Sequence, residues 1–584
     1  MKYYIVNKRF FVSIFFIIPL FISTLTPVFA GYSDEDSGRG ETFDRGVTQE
    51  RVKVELPVEM LMKEKVELER PKPTLPEAPV FIRQINVVGV TVLSKKDTDQ
   101  IISDFQNRQL SGKEMQRCAD QITDWYSIKG YITSYAYVEP ARLNEEILEI
   151  KCVEGKVGKV TIEGNRHFST RIYEERIGLK TGEPFNLKLL KNNAYKINKH
   201  PDRKILAMKV EPADEPGLAN ITLKIKDRIP FHLNPTYDNY GSQWIFQNRY
   251  KVFYVFNNFT GHDDVLSAKS QFAETDAQKL YDLDYFLPLT NDLKFEFYAM
   301  PYKIEDFYGD REDIDRVKKA MDFKTNLIKT FIDKPGCFFE VSLGFGYWDI
   351  SWFQYGKTWR RRDWLRAVLF SQDLNISDKF GRTSISNDAE FAIPDFMGGL
   401  KAKDENANIP GAGSGYIMSH LVVDRQQKLF HGIDLLLRSH FQISSNTLAG
   451  VKKFCIGGTG GVVDNRGYPR AQYVGDSGKS ISIGLSFPPY FVPRNLNVPF
   501  SKTKLYNTLK FIPTYDLAQG RLKSTPPGEK ADATFRSAGC ALKFDLPEHS
   551  MSLRVDTFWP VGGTYPADGD RCHTWIYLSK DFAF

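Results

Sequence analysis

Gly475-Asp-Ser-Gly-Lys-Ser480 carries the Gly-Lys-Ser end of a phosphate-binding loop, in which backbone amides and a lysine cradle a nucleotide. The opening glycine of that pattern falls at Tyr473, so the template fails and no nucleotide site is expected. A serine nucleophile would need a Gly-x-Ser-x-Gly elbow, and a zinc hydrolase a His-Glu-x-x-His pair; the sequence holds neither. It also lacks Cys-x-x-Cys, which removes zinc ribbons and thioredoxin-like exchange, and six cysteines in 584 residues are too sparse for a disulfide scaffold. The expectation is a protein without catalytic residues, metal or cofactor.

Composition bounds the class of protein. Charged residues make up 26% and hydrophobic ones 42%, which excludes wholesale disorder. A mean hydropathy of -0.36 excludes a bundle of membrane helices, yet aromatics reach 14%, a content found in soluble enzymes and also in outer-membrane barrels with aromatic girdles. Lys2, Lys8 and Arg9 supply three of the six net positive charges and the first 30 residues hold no acid, which leaves +3. That balance does not point to nucleic acid. The same three cations precede the apolar run Phe10 to Ile22, and Val28-Phe29-Ala30 offers small residues for cleavage. Residues 1–30 therefore read as a secretory signal. Residues 31–79 read as a linker, charged at first and rich in proline at its end, with room for a short helix around Met60 to Leu68.

Between residues 80 and 155 the pattern is β-α-α-β-β. Phe81 to Val88 predicts a strand, Ser94 and Asp97 a helix start, and Ser111 with Glu114 a capping box. The second helix puts Met115, Cys118, Ala119, Ile122 and Tyr126 on one face, and Gly130 stops it. Strands follow at Tyr131 to Val138 and Ile147 to Val153. Cys118 and Cys152 fall on core faces, either as buried thiols or as a disulfide. The same order recurs over residues 156–229, with strands at 157–164, 205–210 and 220–226 and helices at 171–177 and 186–199. A tandem repeat constrains architecture strongly.

From residue 230 to 584 strict alternation takes over. Tyr281, Leu283 and Tyr285 oppose Asp282 and Asp284; Phe339 to Tyr347 and Ile481 to Phe487 alternate likewise. About 355 residues of such strands, at roughly 20 to 22 per strand and loop, predict about 16 strands and a transmembrane barrel. The chain closes on Phe582-Ala-Phe584.

These features resemble the two-partner secretion transporters of the outer membrane, the hemolysin secretion/activation family with POTRA domains. The first unit carries the densest likeness, in Leu110-Ser-Gly-Lys-Glu114, Ile122-Thr-Asp-Trp-Tyr126 and Val153-Glu-Gly155. In the barrel, Gly457-Gly458 followed by Asn465-Arg466-Gly467-Tyr468, and then Gly475-Asp476, resemble the family's long inward loop. Asn465 stands where the family has Val, and residues 31–79 hold no counterpart of its plug helix.

The resemblance implies tandem α+β POTRA domains followed by an all-β barrel in the outer membrane, with the POTRA domains in the periplasm. It implies a translocator that captures an extended partner protein and passes it outward, with outer-membrane lipid and the barrel-assembly machinery as its other partners. Arg466 is implied to pair with Asp516 on the inner wall, with Gly467 as a tight backbone turn and Tyr468 beside it. Strand parity supports Asp516 independently: Leu509, Phe511, Pro513 and Tyr515 form one face, so Lys510, Thr514 and Asp516 face the lumen, with Ile512 dissenting. Phe582 and Phe584 are implied as the barrel-assembly signal. The rival readings are an outer-membrane assembly factor, a passive porin and, more remote, an outer-membrane hydrolase.

Overall fold

The computed structural model describes residues 60–61, 71, 73–213, 215, 217–242, 247–273, 278–307, 315–354, 360–459, 464–525, 530–562 and 564–584. The expected signal and most of the expected linker lie outside these. Of the stretch Met60 to Leu68, where a short helix had room, only Met60–Leu61 is among the described residues, and it is a strand that pairs in parallel with Met208 and Lys209. Edge strands carry unpaired amides, and this pairing satisfies some of them.

In the first unit, helix α1 (Lys95–Ile102) and helix α2 (Gly112–Lys129) both open on capping boxes. The Ser111 amide donates to the Glu114 carboxylate at 2.8 Å, and the Glu114 amide donates back to the Ser111 hydroxyl. Gly130 ends α2 at φ 102°, a left-handed cap that needs glycine. The expected strand at Phe81 breaks at Arg83. Val80–Ile82 pairs with Arg108–Leu110, while Gln84–Val88 joins Ile147–Val153 in parallel and Tyr135–Glu139 takes the other side. Their inward faces bury Met115, Cys118, Ile122, Tyr126, Leu148 and Ile150 in one core.

Both core cysteines are free thiols, so the disulfide considered for Cys118 and Cys152 is not formed; each packs as a small apolar side chain. Burial pushes both thiols up to about 12.

The second unit repeats the plan. Helices α3 (Thr170–Ile177) and α4 (Leu187–Asn198) cover a sheet of Lys156–Glu163, Leu218–Asp227 and Arg203–Pro212.

Sixteen antiparallel strands then close into a barrel. Strands β1 to β5 are Phe231–Asp238, Arg249–Asn257, Val265–Ala273, Gln278–Pro288 and Leu293–Phe307. Strands β6 to β8, Asp315–Lys334, Cys337–Gln354 and Arg360–Asp378, are the longest. Strands β9 to β12 are Gly381–Ala392, Ile417–Lys428, Asp434–Ser444 and Ser477–Ser486. Strands β13 to β15 are Leu509–Arg521, Asp532–Leu546 and Met551–Pro560; β16 is His573–Lys580, resuming at Phe582–Ala583. Strand β1 pairs with both parts of β16 and so shuts the ring. Alternate residues such as Leu283, Leu343, Ile443, Ile483 and Leu542 are exposed apolar side chains, the lipid face of a membrane barrel.

Ion pairs fasten the second unit to the barrel. Asp263, in the β2–β3 turn, accepts a fork from Arg203 at 2.6 and 2.9 Å and a further bond from Arg176 at 2.7 Å. Lys199 meets Asp333 at 2.6 Å. Asp202 is held by Arg228 and by the barrel residues His232 and Asn257, each within 2.8 Å.

Candidate functional site

The connection from β11 to β12, residues 445–476, does not stay outside the barrel. It begins with a turn at residues 450–452 and forms a hairpin of Phe454–Ile456 and Tyr473–Gly475. Gly457 and Gly458 follow the first strand at φ 115° and 74°, which side-chain-bearing residues rarely adopt. The Gly458 amide donates to the Tyr468 carbonyl at 2.9 Å, so the two glycines turn the chain back toward the Arg466 segment.

Arg466 is buried against the inner wall. Its Nε and Nη2 donate to the two oxygens of Asp516 at 3.0 and 2.7 Å, a bidentate fork. Its Nη1 donates to Asp556 at 2.9 Å, and Nη2 also reaches the Ser482 hydroxyl at 3.0 Å. The guanidinium carbon lies 4.1 Å from the centroid of the Phe558 ring. Ser482 donates to Asp516 at 2.7 Å, and Arg554 makes a second fork, onto Asp556, at 2.6 and 2.8 Å. Two guanidinium groups thus face two carboxylates, the arrangement a buried charge needs.

Register explains the assembly. Asp516 lies opposite Ser482 on β12 and Ser537 on β14, so all three point inward. Ile512 shares that inward parity and is buried, because the pleat sets the face whatever the residue type.

Gly467 sits in the expected tight turn, closed by the Tyr468 amide donating to the Asn465 carbonyl at 3.2 Å, and it does so without a positive φ. It also allows close approach. A Cβ there would stand 2.6 Å from the Ser537 Cβ and 2.8 Å from the Pro560 nitrogen. Tyr468 is buried edge-to-face on Phe535, with ring centroids 5.2 Å apart, and its hydroxyl donates to the Thr564 carbonyl at 3.3 Å. Asn465 is fully buried, and its side-chain amide donates to the Phe535 carbonyl at 3.1 Å, a bond that a valine could not make.

Gly475 and Asp476 close the loop. The buried Asp476 carboxylate accepts from the backbone amides of Leu448 and Lys523 at 2.8 and 2.7 Å, and Lys453 approaches it at 3.4 Å. It therefore ties both ends of the loop to the start of the β13–β14 connection. At the opposite end of the barrel, Phe584 stacks on Phe231 at 5.4 Å and Phe582 pairs with Leu233.

Asp556, Ser482, Phe558, Arg554 and Trp575 belong to this site and were not picked out from the sequence as site residues. The available signal was parity on β15, where Arg554, Asp556 and Phe558 alternate with Val555, Thr557 and Trp559.

With this geometry in view, the likenesses to known proteins are informative. Residues 80–155 match the family described as POTRA domain, ShlB-type. Residues 155–227 match the POTRA family described as surface antigen variable number repeat. The outer membrane transporter CdiB of Dickeya dadantii is 25% identical over 168 residues, 29% of this chain and 29% of that protein. The chain thus matches less than a third of that relative's length. The heme/hemopexin transporter protein HuxB of Haemophilus influenzae is 19% identical over 494 residues, 82% of this chain and 83% of that protein. Among solved structures, CdiB from Escherichia coli shares the fold with a TM-score of 0.72 at 17% identity, over 95% of this chain and 100% of that one.

Tandem POTRA domains leading into a closed barrel of 16 strands define an outer-membrane barrel with a periplasmic arm. In its POTRA domains and barrel fold the chain is similar to outer-membrane transporters such as CdiB and HuxB.

Proposed function

We propose that the chain is a protein translocator that secretes a cognate partner across the outer membrane. The observation that carries this reading is the pairing of two periplasmic POTRA domains with a barrel whose inward loop is latched at Arg466. A passive porin has no use for either.

The POTRA domains capture an extended, unfolded segment of the partner by strand addition, and Tyr135–Glu139 is an edge of the first three-stranded sheet. The Arg466 fork on Asp516 and its single bond to Asp556 hold the loop across the lumen at rest. Export requires the loop to leave the wall, and the charged groups it leaves are then hydrated by the opened channel. Folding of the partner outside the cell supplies the drive. Phe582 and Phe584, seated on β1 at Leu233 and Phe231, present the aromatic pair that the barrel-assembly machinery reads during biogenesis.

Deleting the gene and comparing culture supernatants by mass spectrometry tests the reading. Loss of one large exported protein is expected. General loss of outer-membrane barrels would replace it with an assembly role.

A further inference from the structure

The lumen of a membrane barrel is ordinarily polar and wet. In this barrel, part of the inner wall carries a cluster of buried apolar side chains, bordered by the buried acids Asp322 and Asp363. Leu280, Tyr302, Ala320 and Ile350 stand directly opposite one another on β4 to β7, and Trp348 and Leu365 continue the patch on β7 and β8. Direct partners share a face, and neighbours of opposite parity such as Leu283 and Met321 are exposed to lipid. The patch therefore faces inward.

The β9–β10 connection, residues 393–416, covers it. Leu400, Ala407, Ile409, Ala412 and Tyr416 are buried in one cluster with the wall residues, and Leu448, Ala449 and Val451 of the latch loop join them. The chain positions this connection through the edge of β8. Strands β8 and β9 pair only as far as Ala367 with Ala392, which leaves residues 360–366 of β8 without a β9 partner. The connection takes that place: the Leu400 amide donates to the Trp364 carbonyl at 2.8 Å, and the Arg362 amide donates to the Asn406 carbonyl at 2.9 Å. The Asn408 amide adds a bond to the Asp363 carboxylate at 3.1 Å.

The two inward loops also share a charged partner. Glu390 on β9 accepts from the Tyr416 hydroxyl at 3.2 Å and pairs with Lys452 of the latch loop at 3.0 Å, while Lys452 lies 3.2 Å from the centroid of the Trp348 ring. Displacing one loop leaves Glu390 short of a partner and disturbs the seat of the other.

We infer that residues 393–416 form an internal lid that seals the outer half of the lumen at rest and moves together with the Arg466 loop. The inference rests on the barrel being a conduit. Opening the lid would wet the apolar patch, so burial of that patch favours reclosure once the exported chain has passed.

The test is the ion conductance of the purified full chain in planar bilayers, without any partner protein. The double variant Leu400→Asp, Ile409→Asp is expected to raise conductance several-fold while the barrel keeps its heat-modifiable migration. Unchanged conductance in a folded barrel would overturn the lid. Should the charged variant fail to fold, Ala412→Cys decides. It adds one atom at a buried site, and in whole cells it is expected to resist a membrane-impermeant maleimide, read at its own peptide. Immediate labelling would equally overturn the lid. Neither readout needs an exported substrate, so a lid that holds alongside an unchanged supernatant would refute the secretion reading alone.

Discussion

Trp575 donates its indole N–H to the backbone carbonyl of Arg466 at 2.8 Å, so the last strand of the barrel grips the latch from behind. The guanidinium is engaged by β12, β13 and β15 and the carbonyl by β16. Four strands hold one residue, and the latch is set by the barrel rather than by its own loop.

Arg466→Ala strips Asp516 and Asp556 of their shared cation. Removing one partner of a buried pair costs about 3–5 kcal/mol, because the remaining charge stays desolvated. The unfolding temperature of the purified barrel should fall, and export should collapse while insertion into the membrane persists. Arg466→Lys should rescue little, since an ammonium has no planar fork for Asp516. Immunoblots of membrane and medium fractions separate the two effects.

Asp556→Asn should unsettle two guanidinium groups at once, costing Arg554 its fork and Arg466 one of its bonds. A conductance intermediate between wild type and Arg466→Ala is expected. A value indistinguishable from wild type would confine the latch to Asp516.

Gly467→Ala should push the loop off the wall, as overpacking costs typically about 1–3 kcal/mol. Ser537→Gly added to it should restore little, because two of the three nearest atoms, the Pro560 nitrogen and the Trp559 carbonyl carbon, belong to the backbone. Thermal melts of the single and double variants measure this.

Cys118 and Cys152 should resist iodoacetamide at pH 8 in the folded chain, since burial holds both thiols protonated, whereas the exposed Cys572 should react. Peptide mapping under non-reducing conditions also checks that the two core thiols are free.

The joint between the second POTRA domain and the barrel should survive mild acid. Burial raises Asp202, yet hydrogen bonds from His232 and Asn257 overcome it and hold the carboxyl at about 2, against an ordinary 3.8. Asp263 is likewise lowered, with Arg203 and Arg176 outweighing its burial. A carboxyl lowered in the folded state contributes in full above its unfolded value and loses that contribution as pH falls toward its folded one. Protease cleavage near residue 228 should therefore stay slow at pH 5 and accelerate only well below pH 4. Arg203→Ala should make it fast already at pH 7.

The sequence made the periodic parts of this fold legible. Ser111 and Glu114 announced α2 because a capping box is local chemistry, and the alternation around Phe511 assigned Asp516 its face without knowledge of any neighbour. Asp556 stayed hidden because nothing local separates it from an ordinary lumen acid. Only pairings between distant strands bring it to Arg466, 90 residues away. The lid was hidden for a different reason. Residues 393–416 are rich in glycine and alanine, and their apolar residues lack any period that would mark a buried face. Their burial follows from the unpaired edge of β8, which is a property of the sheet.

Closure between His232 and Ala583 has a consequence for how the protein is made. A ring whose first and last staves must meet has two raw margins until the final one arrives, and each margin can zip onto a stranger. No partial product of synthesis is free of that hazard. The arriving chain must therefore be shielded along its entire length and then sealed in one late event.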